Sequence, residues 1–153
     1  MGLKARRALP ILPGILQIRT ATVSKQFGND LFDAVGLTDS ANIWTQPAGS
    51  VLLGVKMVLD AQFVATGLTD LDVSLGDAGD NDGLLVQAMN LVTGAVGSKY
   101  STRGAYWDTS AKGALWFQLA ARTWIAYATA VGANLSTLTA GKVTFYFTYL
   151  EIG

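Results

Sequence analysis

Oxygen-bearing side chains cluster near the middle of the chain and are the first candidates for a chemical site. Four of them fall within six consecutive positions: Asp77, Asp80, Asn81 and Asp82. Hard cations such as calcium prefer oxygen ligands, so a metal site is one interpretation of this segment. The spacing does not fit an EF-hand loop, because Met89 stands where the bidentate glutamate is required. A solvated turn held by Asx hydrogen bonds is the other interpretation, and we expect no metal, with Asp77, Asp80 and Asp82 as the ligands to test.

The side chains that perform most acid, base and nucleophilic chemistry are scarce. The chain has no His, no Cys and a single Glu, Glu151. Paired aspartates can hydrolyse glycosides, but the general acid needs a partly buried carboxyl group, and most aspartates here fall in expected turns or on solvated strand faces. Serine has no histidine partner that could activate it. We therefore expect binding or assembly rather than enzymatic activity, and no cofactor.

Charge is distributed unevenly along the chain, although 11 basic and 11 acidic residues cancel. The first thirty residues hold five basic residues and one acidic residue, whereas 57–98 holds six aspartates and no basic residue. A basic arm followed by an acidic body suits head-to-tail contact between copies, or docking of the arm onto an acidic partner; uneven surface charge without a role is the alternative. Five basic residues without interleaved aromatics are too few to bind a phosphate backbone, so we expect no nucleic acid.

Residues 1–15 form an extended N-terminal arm in this interpretation. Pro10 and Pro13 fix the backbone and remove donors that a helix or a central strand needs. The basic start and short apolar run are superficially similar to a signal peptide, but these prolines and Gly14 break the helix that such a segment forms. We expect a docking arm, and we expect 16–153 to fold as one domain.

High hydropathy without a membrane segment predicts self-association. Half of the residues are hydrophobic and 14% are charged. Arg122 interrupts the longest apolar candidate, between Ala114 and Leu138, so no run reaches transmembrane length. Subunit interfaces are the natural place to bury the remaining apolar surface.

Alternation with a period of two dominates the sequence and predicts strands. In the closing run 142–152, one face carries Val143, Phe145, Phe147 and Tyr149, and the other carries Lys142, Thr144 and Thr148. In 51–63 every odd-numbered residue is apolar, which predicts a core face that includes Val51 and Leu53. Further strands are expected at 16–24, 43–45, 71–75, 114–120 and 122–130, and loops at 38–42, 76–83 and 135–141. This rhythm predicts an all-β antiparallel sandwich or jelly roll.

Two aromatic residues stand in an expected loop and are candidates for exposed contacts. Tyr106 and Trp107 lie beside Gly104 and Asp108. Exposed rings stack on sugars or mark protein interfaces, whereas core filling is the ordinary fate of an aromatic side chain.

The chain as a whole resembles the small jelly-roll structural proteins of tailed bacteriophages, particularly capsid decoration, or cement, proteins. The resemblance rests on the arm 4–14, the strand 49–63, the loop 76–80, the segment 132–135 and the ending 138–146. It implies a homotrimer on the outer surface of the virion, where it clamps neighbouring subunits of the major capsid protein. The arm would contact a neighbouring subunit or the capsid through Lys4, Arg6, Arg7, Leu9, Pro10, Ile11 and Leu12.

Three other functions remain open at this point. The first is a phage receptor-binding or head-fibre module that recognises host surface glycans. The second is a carbohydrate-binding domain of a cellular enzyme. The third is a small-ligand barrel of the lipocalin type, which requires an interior cavity that the aromatic residues would fill.

Overall fold

The computed structural model describes residues 16–28, 31–86, 90–107 and 119–152. The expected arm 1–15 and nearly all of the expected strand 114–120 lie outside these residues. The described residues form eight strands and two short 3₁₀ helices, Ala105–Trp107 and Leu135–Thr137. The strands are β1 (Leu16–Gln26), β2 (Thr38–Gln46), β3 (Ser50–Val64), β4 (Asp70–Asp77), β5 (Asp80–Leu85), β6 (Lys99–Tyr100), β7 (Arg122–Val131) and β8 (Ala140–Ile152). The predicted all-β sandwich is therefore confirmed.

Strand order identifies the sandwich as a jelly roll. One sheet, the β1 sheet, has the order β1-β8-β3-β6, and the other, the β2 sheet, has the order β2-β7-β4-β5. The first strand pairs with the last, the second with the second-to-last, and so on inward to β4 and β5, always antiparallel. This pairing is that of one long hairpin rolled into two packed sheets.

The core lies between the sheets, and β8 contributes its centre. Val143, Phe145 and Phe147 are fully buried, as the alternation predicted. From the opposite sheet, Trp124 of β7 is also fully buried. Each of these side chains removes a large apolar area from water, which is the main favourable contribution to the stability of such a domain.

A β-bulge in β3 corrects the predicted core face of that strand. Leu52 is buried, whereas Leu53 is 39% exposed. The pairing with β8 shifts register between Leu52 and Gly54, and one extra residue reverses which side chains face inward. The expectation that Val51 and Leu53 face the core is therefore wrong, while Val55 and the two next odd-numbered residues are buried as predicted.

Three segments expected to be loops belong largely to regular structure. Residues 38–42 begin β2, where turn-forming side chains alternate with the buried Ala41 and Ile43. Residues 76–83 form the β4–β5 hairpin around a turn at Ala78 and Gly79. Residues 135–141 hold a 3₁₀ helix and the start of β8. Polar residues on outward strand faces conceal these elements from a composition-based interpretation.

Candidate functional site

The acidic cluster of the sequence lies in the β4–β5 hairpin, where the carboxylate of Asp77 is fully occupied. Its Oδ1 accepts hydrogen bonds from the backbone N–H groups of Gly79 (2.9 Å) and Asp80 (3.0 Å) and from the hydroxyl of Tyr106 (2.7 Å). Its Oδ2 accepts a hydrogen bond from Nε of Arg122 (3.0 Å) and forms an ion pair with the same guanidinium group. Both oxygens therefore have partners within the chain.

Aromatic rings enclose this ion pair. The guanidinium of Arg122 lies 4.9 Å from the ring centre of Tyr106 and 4.6 Å from that of Trp124. The hydroxyl of Tyr127 donates a hydrogen bond to the backbone carbonyl of Asp77 at 3.1 Å. We call this group of five residues the Asp77 corner. It ties β4, β7 and the 3₁₀ helix at 105–107 together at one end of the sandwich.

The Asp77 corner shifts two pKa values in opposite directions. Burial by itself raises the pKa of Asp77, but the hydrogen bonds from Arg122, Tyr106 and Gly79 prevail and hold it below its ordinary value. Burial, together with the hydrogen bond to the Asp77 carboxylate, raises the pKa of Tyr106 to about 12. The network is therefore stable as a carboxylate bound to a neutral phenol.

Tyr106, a candidate for exposed contacts, is buried, and Trp107 is half-buried. Tyr106 is only 5% exposed, and Nε1 of Trp107 donates a hydrogen bond to the carbonyl of Leu84 at 2.7 Å. The Tyr106 ring packs directly on Gly83, where an added Cβ atom would lie 2.4 Å from the ring. These aromatics hold the end of β5 in place and do not form a sugar-binding platform.

Asp80 and Asp82 form a second acidic pair in the same hairpin. A hydrogen bond to Asp80, followed by burial and the charge of Asp80, raises the pKa of Asp82. In the described residues, no three His, Cys, Asp or Glu side chains are grouped so that they could hold a metal ion.

The outer face of the β2 sheet is polar and acidic. Asp70, Asp72 and Ser74 of β4 stand in register with Val131, Thr129 and Tyr127 of β7, in that order. Oδ1 of Asp70 is buried without a hydrogen-bond partner. Within the strands of this sheet Arg122 is the only basic residue, and it is bound to Asp77.

The outer face of the β1 sheet has the opposite charge. It carries Lys56, Lys99 and Lys142 on three neighbouring strands and one carboxylate, that of Asp60. Asp60 accepts a hydrogen bond from Thr144. The ammonium group of Lys56 lies 5.0 Å from the ring centre of Tyr146. Thr20 and Thr22 of β1 and Thr148 of β8 lie on the same face.

Apolar side chains are exposed at one end of that same face. Ile18 of β1, Leu150 of β8 and Val51 of β3 form one cross-strand row. Ile18 is 71% exposed and Leu16 is 57% exposed, and the bulge in β3 turns Leu53 outward beside them. We call these residues the apolar patch: Leu16, Ile18, Val51, Leu53 and Leu150. The expected arm enters the fold here, since residue 15 precedes Leu16.

β1 is also the most open edge of the sandwich. All 11 of its residues pair with β8 without a bulge, and β8 is the only strand paired with it in the described chain. The other long edge strand, β2, contains a bulge between Asn42 and Trp44 and is followed by Pro47. Bulges, prolines and charged residues normally blunt an edge. β1 has no bulge, no proline and no charge in its outward row, and its two charged residues, Arg19 and Lys25, lie in the opposite row.

Sequence reasoning placed its binding residues in the arm, so Lys4, Arg6, Arg7, Leu9, Pro10, Ile11 and Leu12 lie outside the described residues. It missed the apolar patch. The signal was present, because Leu16 and Ile18 share an outward row with Thr20 and Thr22, but 16–24 was predicted only as a strand, with no face assigned to its side chains.

The fold is similar to that of a chain in the capsid asymmetric unit of cyanophage Pam1. The TM-score is 0.59 at 21% sequence identity, and the similarity covers 97% of this chain and 94% of that one. A chain in the acidic stable capsid structure of Helicobacter pylori bacteriophage KHP30 is similar over 89% of this chain and 93% of that chain, with 12% identity and a TM-score of 0.42. Neither a family model nor a curated protein matches the sequence. The likeness to the Pam1 chain establishes a shared jelly-roll fold.

One further structural finding concerns membranes. No helix among the described residues is long and apolar enough to span a bilayer.

Proposed function

We propose that this chain is a structural virion protein, a capsid decoration or cement protein on the outer surface of a phage head. The observation that carries the proposal is the exposed apolar patch at the open edge of β1. It belongs to a jelly roll whose fold is shared, over nearly its full length, with a chain from the Pam1 capsid. Exposed apolar surface next to an unpaired edge is costly in an isolated domain and useful in a permanent assembly.

The partners in this proposal are other copies of the chain and the major capsid protein. A homotrimer joins several weak contacts into one strong attachment, which is how a small protein can hold a capsid lattice. The two outer faces differ in charge, so they cannot serve the same partner equally well. We assign the apolar patch to contact between copies and the arm to contact with a neighbouring subunit or the capsid. Neither nucleic acid nor a membrane takes part.

The arm contributes apolar and basic contacts in this account. Prolines restrict its conformations before it docks, which lowers the entropy cost of binding. The residues assigned to these contacts are Lys4, Arg6, Arg7, Leu9, Pro10, Ile11 and Leu12.

The hydrogen bonds of two aspartates support a structural rather than a catalytic role. Asp77 is tied up by Arg122 and Tyr106, and Asp60 is bonded to Thr144. A general acid or a metal ligand must present at least one oxygen to its substrate or ion. We therefore assign this chain neither a catalytic residue nor a cofactor.

A glycan-binding head-fibre module is the competing function, and its support is limited to one shallow groove. The groove has a volume of about 280 Å³ and is lined by Lys56, Ser101, Tyr146 and Thr148, among others. The face of the Tyr146 ring is already covered by the ammonium group of Lys56. Of the two rings that motivated this alternative, Tyr106 is buried and Trp107 is half-buried with its indole N–H bonded to Leu84.

Co-sedimentation with capsids tests the proposed function. Heads assembled from the major capsid protein encoded alongside this chain should bind the full-length protein and lose their integrity at a higher temperature than undecorated heads. A chain lacking residues 1–15 should remain folded and bind far less, and a chain with the order of residues 1–15 scrambled serves as its control. Undiminished binding by the truncated chain would remove the arm from the account. Reproducible signals on a glycan array without any capsid binding would favour the head-fibre module.

A further inference from the structure

We propose that the open edge of β1 receives residues 9–12 from a second copy of this chain as an added β-strand. This inference rests on the proposed function, because it specifies how the copies of an assembling protein are joined. It assigns the receiving surface, β1 with the apolar patch, and the occupant, the apolar part of a neighbour's arm.

The backbone of β1 is the first reason for this assignment. In an antiparallel pair, alternate residues direct their N–H and C=O groups away from the partner strand. β1 runs for 11 residues without interruption, and its pairing with β8 accounts for only one side of it. A long, unbroken edge of this kind is the receiving surface in strand addition, where main-chain hydrogen bonds supply affinity and side-chain pockets supply specificity.

The side chains on this edge are the second reason. Ile18 is 71% exposed and Leu16 is 57% exposed. Across β8 this row continues into Leu150 and Val51, so an added strand beside β1 would extend an apolar surface that already spans three strands. The arm provides matching apolar residues at Leu9, Ile11 and Leu12. An added strand would flank these two side chains, reduce their exposed apolar surface and pair the open edge.

The prolines of the arm are compatible with the added strand. Pro10 is the only residue of 9–12 without a backbone N–H group. In an edge strand such a residue is tolerated, because its missing donor can face solvent rather than the neighbouring strand.

The sequence between the arm and β1 argues against the arm of the same chain. A tight return onto β1 would place Pro13 and Gly14 at the two central positions of a hairpin turn. Two-residue hairpin turns of types I′ and II′ need a positive φ at the first central position, and proline is locked near −65°. Proline therefore disfavours a two-residue return onto the same chain, and exchange around a closed ring would supply an added strand to the β1 edge of every copy.

Site-directed disulfide formation tests the inference directly, because the chain has no cysteine of its own. An affinity-tagged Ile11→Cys variant is co-expressed with an untagged Ile18→Cys variant, purified without capsids and oxidised mildly. We expect a mixed covalent dimer as a major product on a non-reducing gel. Thr20→Cys is run in parallel, because it samples the next outward position of β1.

Val35→Cys in place of Ile18→Cys is the matched control. Val35 is 81% exposed and lies in the loop beyond the far end of β1. It should give little mixed dimer. Equal yields from the control and the β1 variants, or no mixed dimer from either β1 variant, would overturn the inference.

The double variant Ile11→Cys with Ile18→Cys in one chain separates exchange from a return onto the same chain. Exchange predicts covalent dimers and larger species, whereas a cross-linked monomer would overturn it. Because these experiments contain no capsid, their outcome is independent of the proposed function. Cross-linked copies that fail to bind capsids would retain strand exchange and contradict the cement role, and capsid binding without cross-links would do the reverse.

Discussion

The Asp77 corner and the open edge of β1 differ in where their contacts come from. At the Asp77 corner, Arg122 and Tyr106 satisfy a carboxylate inside the chain, and the hairpin between β4 and β5 is tied to β7. At β1, no described strand covers the edge, and Ile18 stands 71% exposed. The difference is that the Asp77 corner finds its partners within the chain, whereas the apolar side chains on β1 find no such cover among the described residues.

Removing the carboxylate of Asp77 should disrupt the Asp77 corner and have the largest effect on stability. Asp77→Ala leaves Arg122 and Tyr106 without their partner, and we expect a loss of about 3 kcal/mol in the free energy of unfolding. Urea unfolding followed by tryptophan fluorescence measures it. Asp33→Ala, at an exposed position, is the control and should change stability by less than about 0.5 kcal/mol. A loss no greater than that of the control would show that the corner is not a stabilising centre.

The close contact between Gly83 and the Tyr106 ring provides a second test of the Asp77 corner. An added Cβ atom would lie 2.4 Å from the ring, so Gly83→Ala must displace Tyr106 or β5. We expect a destabilisation of about 2 kcal/mol. Gly54→Ala is the matched control, since nothing lies within 4 Å of its added Cβ. Similar melting temperatures for the two variants would contradict this packing.

Alkaline pH should weaken the Asp77 corner. Since the pKa of Tyr106 is raised to about 12 in the folded chain, from an ordinary value of 10.0, the unfolded chain loses its proton first as the pH rises. Stability should therefore decrease between pH 10 and pH 12, by up to about 3 kcal/mol for a shift of this size. Tyr106→Phe should remove this contribution, whereas Tyr146→Phe should retain it. Equal pH profiles for both variants, measured by urea unfolding, would count against the role of Tyr106.

The acidic pair of Asp80 and Asp82 should have the smallest effect on stability. Removing the charge of Asp82 should stabilise the fold, whereas removing that of Asp77 should destabilise it. Because the pKa of Asp82 is raised beside Asp80, stability decreases as the pH rises from the ordinary value of 3.8 through the folded value. Asp82→Asn should increase stability at pH 7 by up to about 0.5 kcal/mol. Thermal melts at pH 4 and pH 7 test this, with Asp33→Asn as the control. A decrease at pH 7 would mean that Asp82 has a stabilising partner.

The sequence predicted which segments form strands better than it predicted how those strands pair. The alternation of Val143, Phe145 and Phe147 placed the core face of β8 correctly, because one buried face imposes a period of two. The same logic failed at Leu53, where a bulge changes the face without any change in composition. Pairing in a jelly roll joins strands that are far apart in the sequence, and local periodicity does not show which strands pair.

The candidate site illustrates the same limit. Arg122 lies 45 positions from Asp77, so no local motif could have revealed their ion pair. Tyr106 was interpreted as exposed because glycine and aspartate neighbours are typical of loops, but the loop folds back onto β5. The arm 1–15 was predicted from its prolines and charges, which act on the backbone locally, and it stays a prediction because these residues lie outside the described structure.

The native mass of the full-length protein tests the central claim most directly. Size exclusion with light scattering should give three subunits for the natural chain and one for Ile18→Lys, which places a charge on the open edge. Val35→Lys, equally exposed but distant from β1, should leave the mass at three subunits. Ile18→Lys should unfold at the same urea concentration as the natural chain once both are measured as monomers. A monomeric natural chain, or an Ile18→Lys variant that keeps the full mass, would contradict assembly through the edge of β1.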